Sequence, residues 1–297
     1  MENIHIPVLK EKVLEYLSPS DNKNFVDCTV GEGGHAKLIL DRNAPSGKVL
    51  GIDWDPAQVE SGKWLMADYK DRLILENNSY ANLKEIISRI NFGPIEGILL
   101  DLGMSSAHLD KSHKGFSFRL DQGLDMRYDD RFNFLTAEKI LNEWKVEDIE
   151  KIIKEYGEEK FSKKIAEKIT EERKKGRIKS TFQLTKIIED TIPKQMRNGK
   201  IHCATRTFQA LRIAVNHELE NLEKVLPQII SVLPQGGKIV VISFHSLEDR
   251  IVKNFFNQEA KKKTIKILTK KPVVAGCDEI KKNPRARSAK LRAAIKL

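Results

Sequence analysis

The chain is poor in features that fix a fold from outside its core. Among 297 residues it has three cysteines, Cys28, Cys203 and Cys277, far apart and in no C-x-x-C pair. That spacing argues against a disulfide framework or a thiolate zinc site and fits reduced thiols in a cytoplasmic protein. Seven histidines are scattered without H-E-x-x-H or similar spacing, so no metal cluster is read. A G-x-S-x-G elbow, a Ser-His-Asp order, internal repeats and low-complexity tracts are all missing. No apolar run approaches the ~20 residues that span a bilayer. Met1-Glu2-Asn3-Ile4-His5 lacks the basic and apolar regions of a signal peptide. No membrane partner is expected. What the chain has in excess is positive charge, a formal +10, which favours an anionic partner such as nucleic acid. Its apolar content, 40%, is enough for a substantial core.

The most informative stretch is residues 25–35, read with Asp53. Phe25, Val26 and Cys28 form a strand-like run, Gly31, Gly33 and Gly34 make a turn, and a helix-like run starts near Ala36. A second apolar run, residues 49–52, ends on Asp53. Strand, glycine turn, helix, strand and terminal acid is the order that binds a nucleoside-bearing cofactor. The glycines let the backbone approach the ligand, and the acid takes a pair of ribose hydroxyls. The dinucleotide pattern G-x-G-x-x-G is not met, because position 36 is Ala. A ligand with ribose and adenine but no pyrophosphate fits better, and S-adenosylmethionine is the common one. Glycine turns after strands are also often only turns.

Strand-like runs at 25–28, 48–52, 73–76 and 97–102 alternate with helix-like runs at 36–41, 56–69 and 82–90. The alternation predicts an α/β fold with a parallel sheet and right-handed crossovers. From about 108 to 206 no strand is convincing, and amphipathic helices are expected at 136–141, 146–156, 160–174 and 181–191. Residues 207–226 show one helical face, Phe208, Leu211, Val215, Leu219, Leu222 and Leu226. A fifth strand is expected at 238–243, a capping box at Ser246–Asp249, and two closing strands at 264–269 and 290–296. The expected body is therefore residues 1–107 plus 206–297, with a helical domain, 108–205, inserted after the fourth strand.

Ligands of open parallel sheets bind at the carboxyl ends of the strands. Gly31–His35, Asp53, Tyr80, Asp101 and Ser243–Ser246 all follow strand ends. Asp101 could contact cofactor or a target amine, or be a loop acid. Tyr80 could stack on adenine or pack in the core, and His35 could bond the ligand or be structural. His245 could line a base pocket, whereas the Ser246 hydroxyl is better placed as a helix cap. Residues 283–292 carry four basic side chains and, with Arg206 and Arg212, could hold phosphates. A basic loop can equally be solvated surface.

These segments together resemble one family, the bacterial small-subunit ribosomal RNA cytosine-N4 methyltransferases, RsmH, formerly MraW. The matching stretches include His5-Ile-Pro-Val-Leu9, Asp27-Cys-Thr-Val-Gly-Glu-Gly-Gly-His35, Asp101-Leu-Gly-Met-Ser-Ser106, Leu124-Asp-Met-Arg127, Ser243-Phe-His-Ser-Leu-Glu-Asp-Arg250 and 283–292. The resemblance implies a Rossmann-like methyltransferase sheet with an inserted all-helical, substrate-recognising domain. It also implies methylation of the exocyclic N4 of a flipped-out cytidine in the decoding region of 16S rRNA within the small subunit. A homodimer is compatible with it. Cofactor contacts would fall to Gly33, Gly34, His35, Asp53, Tyr80, Asp101 and His108, the last where the family usually has glutamine. Asp101 or the Ser105-Ser106 loop would accept from the target amine. Arg206, Arg212, His245, Arg285 and Arg287 would meet RNA. Asp121-Gln-Gly-Leu124 and His202-Cys203-Ala204 also depart from the family pattern. DNA amino-methyltransferases commonly carry [DNS]-P-P-[YFW] after strand four, which Asp101-Leu-Gly-Met lacks. A nicotinamide oxidoreductase and a non-catalytic RNA-binding factor are the rival classes. The first lacks its glycine spacing here, and the second would not need the glycine turn with both Asp53 and Asp101.

Overall fold

The structure is a computed structural model that describes residues 6–63, 66–105, 108–109, 112–197 and 201–297. The chain forms two compact units, one of residues 1–103 with 219–297 and one of residues 104–218.

The first unit is built on a seven-stranded sheet. Its strands are β1 (Asn24–Asp27), β2 (Val49–Asp53), β3 (Leu73–Asn77), β4 (Ile95–Asp101), β5 (Lys238–Ser243), β6 (Ile265–Ile267) and β7 (Lys290–Lys296), in the order β3-β2-β1-β4-β5-β7-β6. The first five are parallel, and β7 runs antiparallel to both neighbours. Both faces of the sheet are covered, so the central strands are apolar on both sides. Val26, Ile98, Leu100, Ile239 and Val241 join one core with Leu83, Ile86, Val225, Ile229 and Phe256. Phe25, Leu99, Val240 and Ile242 face the other way, onto Val13, Leu17, Ile39 and Leu40. This period-2 alternation fixes the register, because a slip of one residue would exchange the two faces. The strand order reverses between β1 and β4, and ligands of such sheets bind at that switch point. The α/β class and the parallel sheet agree with the sequence reading.

The second unit is helical. Helices Ala137–Glu143, Val146–Glu155, Ser162–Lys175, Thr181–Thr191 and Thr205–Asn216 pack Ile140, Ile149, Ile153, Ile165, Ile169, Leu184, Ile188 and Leu211 into one core. Two sequence expectations change here. The single helical face over 207–226 is two helices, Thr205–Asn216 and Glu218–Val232, broken at His217, whose φ of 50° is left-handed. The expected boundary at 205/206 also moves. Phe208, Leu211 and Val215 complete the helical core, so the helix that carries them lies in the second unit.

Candidate active site

The carboxyl ends of β1, β2, β3 and β4 form one rim of the sheet. The glycine turn follows β1. Gly31 and Gly33 have φ of 51° and 82°, which side-chain-bearing residues adopt at a cost. A Cβ on Gly34 would lie 2.7 Å from the Pro7 ring, so only glycine fits there. Asp53 ends β2 and ties the turn down. Its Oδ2 accepts from the Gly31 amide at 3.0 Å and its Oδ1 from the Asp55 amide at 2.9 Å. The carboxylate is thereby aimed along the rim by two backbone amides.

His35 and Asp101 meet beside the turn. The Nε2 of His35 is 3.6 Å from Oδ2 of Asp101, too far for a hydrogen bond. Both His35 ring nitrogens and Oδ1 of Asp101 are buried without a hydrogen-bond partner. Such orphans cost roughly 1–3 kcal/mol each, and a polar ligand at this corner could satisfy them. The Asp101 amide donates to Oγ1 of Thr29 at 2.7 Å, which fixes the start of the loop after β4. Asp27, passed over in the sequence reading, ends β1 next to these groups. Burial pushes its carboxyl up to about 7, against the opposing pull of His35 and the Thr29 amide and with the help of Asp101 and Asp53. The signal that could have found it is the one that found Asp53 and Asp101, an acid closing an apolar strand.

Tyr80 opens a short turn, Tyr80–Asn82, after β3 and packs half-buried against the core beside the rim. His245 follows β5. It, and not Ser246, caps the helix Ser246–Lys261. Its Nδ1 accepts from the Glu248 amide at 3.4 Å, while Oε2 of Glu248 accepts from the amides of Phe244 and His245 at 2.8 and 3.3 Å. The expected box is present one residue earlier, because an imidazole nitrogen can replace a hydroxyl as acceptor. Arg285 and Arg287 lie on the turn Pro284–Ser288, which leads into β7 at the end where Lys290 pairs with Ser243. Arg287 is exposed and Arg285 half-buried.

The remaining expected site residues lie in the second unit. Ser105 and His108 bond each other, the Ser105 amide and hydroxyl lying 3.1 and 3.0 Å from Nδ1 of His108. The His108 ring is buried against Phe116 and Tyr128. Ser106 lies outside the described residues. Arg206 is exposed and 3.6 Å from Glu159. Arg212 departs from its expected place on a phosphate surface. It is buried and forms two 2.8 Å bonds to Glu218, six residues on, because the break at His217 folds Glu218 back onto it. Gln122, one of the departures from the family pattern, holds its loop. Its side chain accepts from the Gly115 amide at 3.1 Å, and its backbone pairs with Thr181. Glu189, His202 and Cys203 come within 4.8 Å of one another. Nδ1 of His202 accepts from the Ala204 amide at 3.2 Å, which leaves the ring proton on Nε2, facing Glu189 at 3.3 Å. That tautomer suits a hydrogen bond better than a metal ligand.

Compared with known proteins, the chain matches a model of the MraW methylase family over residues 2–297. It is 44% identical to a protein of Trichlorobacter lovleyi named ribosomal RNA small subunit methyltransferase H, over 99% of this chain and 98% of that protein. A protein of the same name from Persephonella marina is also 44% identical, covering 99% of each chain. Among solved structures, an rRNA methylase from Streptococcus thermophilus superposes with a TM-score of 0.47 at 10% identity, covering 99% of each chain.

Proposed function

Because this chain belongs to the MraW methylase family, we propose that it uses S-adenosylmethionine to methylate the exocyclic N4 of a cytidine in the decoding region of 16S rRNA. The observation that carries this reading is the rim itself: an aimed carboxylate on Asp53, and the unpartnered polar atoms of His35 and Asp101 beside a glycine turn. These residues suit the cofactor. Asp53 would accept from the ribose hydroxyls, the turn at Gly33 and Gly34 would let the ligand lie close to the backbone, and Tyr80 would pack on the adenine. The cofactor supplies a sulfonium methyl that is already strongly electrophilic.

The protein's share is placement and activation of the acceptor. The N4 amine of cytosine is a poor nucleophile because its lone pair is delocalised into the ring. A carboxylate accepting a hydrogen bond from the amine favours the pyramidal geometry in which the pair becomes available, and it would take the proton released as the N–CH3 bond forms and the S–CH3 bond breaks. Asp101 takes this role, with the Ser105-Ser106 loop as the neighbouring alternative. Holding amine and methyl in line supplies most of the remaining acceleration. The base must leave its stack to reach the rim. The helical unit and the Arg285–Arg287 turn hold the surrounding RNA.

The test is methyl transfer from labelled S-adenosylmethionine to small subunits from a strain lacking the enzyme, followed by nucleoside analysis. Label in N4-methylcytidine is expected. Label in another nucleoside would overturn the target atom and keep the methyltransferase. Absence of cofactor binding would leave a non-catalytic RNA-binding factor.

A further inference from the structure

The positive charge of this chain is not spread along it. Residues 261–297 hold 13 Lys and Arg against two acids, whereas residues 1–260 hold 39 against 40. The whole excess lies in the last 37 residues. Some of these cations are committed locally. Lys296 donates to the carbonyls of Ile230 and Leu233 and closes the helix before β5. Arg292 and Lys290 hold Asp249 at 2.6 and 3.6 Å. Lys262 pairs with Glu259 at 2.7 Å, and Lys281 lies 4.0 Å from Asp278. Lys261, Lys263, Lys266, Lys270 and Lys271 are exposed and have no acidic partner among the described residues.

The topology strings these five along one edge. Lys261 ends the helix Ser246–Lys261, and Lys266 is the middle residue of β6, the outermost strand on that side. Past β6 the chain keeps following β7. The Leu268 amide donates to the Ala293 carbonyl at 2.9 Å, and Val273 bridges Leu291. Lys270 and Lys271 therefore continue the line toward the start of β7, where Lys290 pairs with Ser243 at the carboxyl end of β5. The line follows the seven residues of β7, roughly 20 Å at the usual strand rise.

An edge strand needs a lysine or two to discourage pairing with another sheet. That explains Lys266 and leaves the others. A merely solvated basic stretch is normally interleaved with acids, as in Ser162–Lys175, where Lys168 and Lys175 both pair with Glu171 and Glu172. From Ala260 to Cys277 there is no acidic residue at all. Uncompensated like charges at this density repel one another and are relieved by a polyanion. An RNA backbone suits a line of point charges along the edge of a sheet. A membrane surface suits it less, since Leu268 and Val274, the two exposed large apolar side chains beside the line, fall far short of the face an interfacial helix buries.

We infer that the β6 edge, from Lys261 to Lys271, is a phosphate-binding track that grips rRNA away from the methylated base and leads it to the rim. It is additional to the Arg285–Arg287 turn. The inference rests on the proposed rRNA substrate for its ligand.

The test compares the full-length chain with a triple variant, Lys266→Gln, Lys270→Gln and Lys271→Gln, binding a 16S rRNA transcript over a salt series. The expected result is roughly tenfold weaker binding at moderate salt and a slope of log affinity against log salt that is shallower by about 2. KM for small subunits should rise with kcat unchanged, and cofactor affinity should not move. If the triple variant aggregates through its exposed edge, Lys261→Gln with Lys263→Gln probes the same line without touching the strand. Unchanged affinity and slope in both variants would overturn the track. So would charge-dependent capture of anionic phosphatidylglycerol vesicles with no change toward RNA. A wild-type protein that shows the salt slope but methylates no cytidine would sink the proposed function and leave the track standing.

Discussion

Two regions of the same sheet carry opposite charge and keep it in opposite ways. At the rim, His35, Asp53 and Asp101 lie around Asp27, whose carboxyl is so deeply buried that it stays largely protonated up to about 7. Along β6 and the chain that follows it, lysines stand exposed with no acidic partner among the described residues. Burial makes a few charges strong and directional at the rim. Exposure leaves many charges weak and long-ranged at the edge. The first arrangement suits chemistry on one small group, and the second suits holding a large anion. Perturbing the rim should therefore change turnover or stability at constant RNA affinity, while perturbing the basic surface should do the reverse.

The largest effect should come from Asp101→Asn. It keeps the size of the side chain and removes the charge that accepts from the amine, so kcat should fall on the order of 10²–10⁴-fold, with RNA affinity nearly unchanged and the loss in kcat exceeding any loss in cofactor affinity. Full turnover with normal binding would remove Asp101 from the chemistry and leave the Ser105-Ser106 loop. Next is Asp27→Asn, read by denaturation across pH. Folded Asp27, facing His35, Asp101 and Asp53, ionises at about 7 instead of 3.8. The folded chain thus binds a proton that the unfolded chain has released, and wild-type stability falls as pH rises through that window. The variant should escape this loss and gain on wild type by on the order of 2–4 kcal/mol between the two ends. A difference independent of pH would mean that the carboxyl is not held neutral. The smallest effect should follow Arg285→Gln with Arg287→Gln. RNA affinity should drop a few-fold and the salt slope should become shallower by about 1–2, with kcat unchanged. An unaltered slope would make this turn solvated surface and sharpen the contrast in favour of the lysine line.

Much of the rim could be read from the chain alone because its elements are local. A strand, a glycine turn and a strand-end acid are set by apolar periodicity and by backbone conformations that Gly31 and Gly33 adopt easily. The readings that changed all depend on contacts across turns. Arg212 and Glu218 look like two solvated charges until His217 turns the chain and buries them as a pair. His245 gives no cap signal by residue type, yet its Nδ1 reaches the Glu248 amide once the chain leaves β5. Asp27 looks like an ordinary polar strand end, and only the stacking of β1 between β2 and β4 removes it from water.

The sequence by itself determined the α/β alternation, the glycine turn, the acids that close the strands and the concentration of lysine after residue 260. Periodicity, backbone freedom and composition are properties of neighbours in the chain. Only the tertiary structure decided which acids share one buried corner and which arginine is spent on a core ion pair. It also brought the terminal lysines to one edge of the sheet. Burial and facing distance depend on residues far apart in sequence, and these set the strength of each charge.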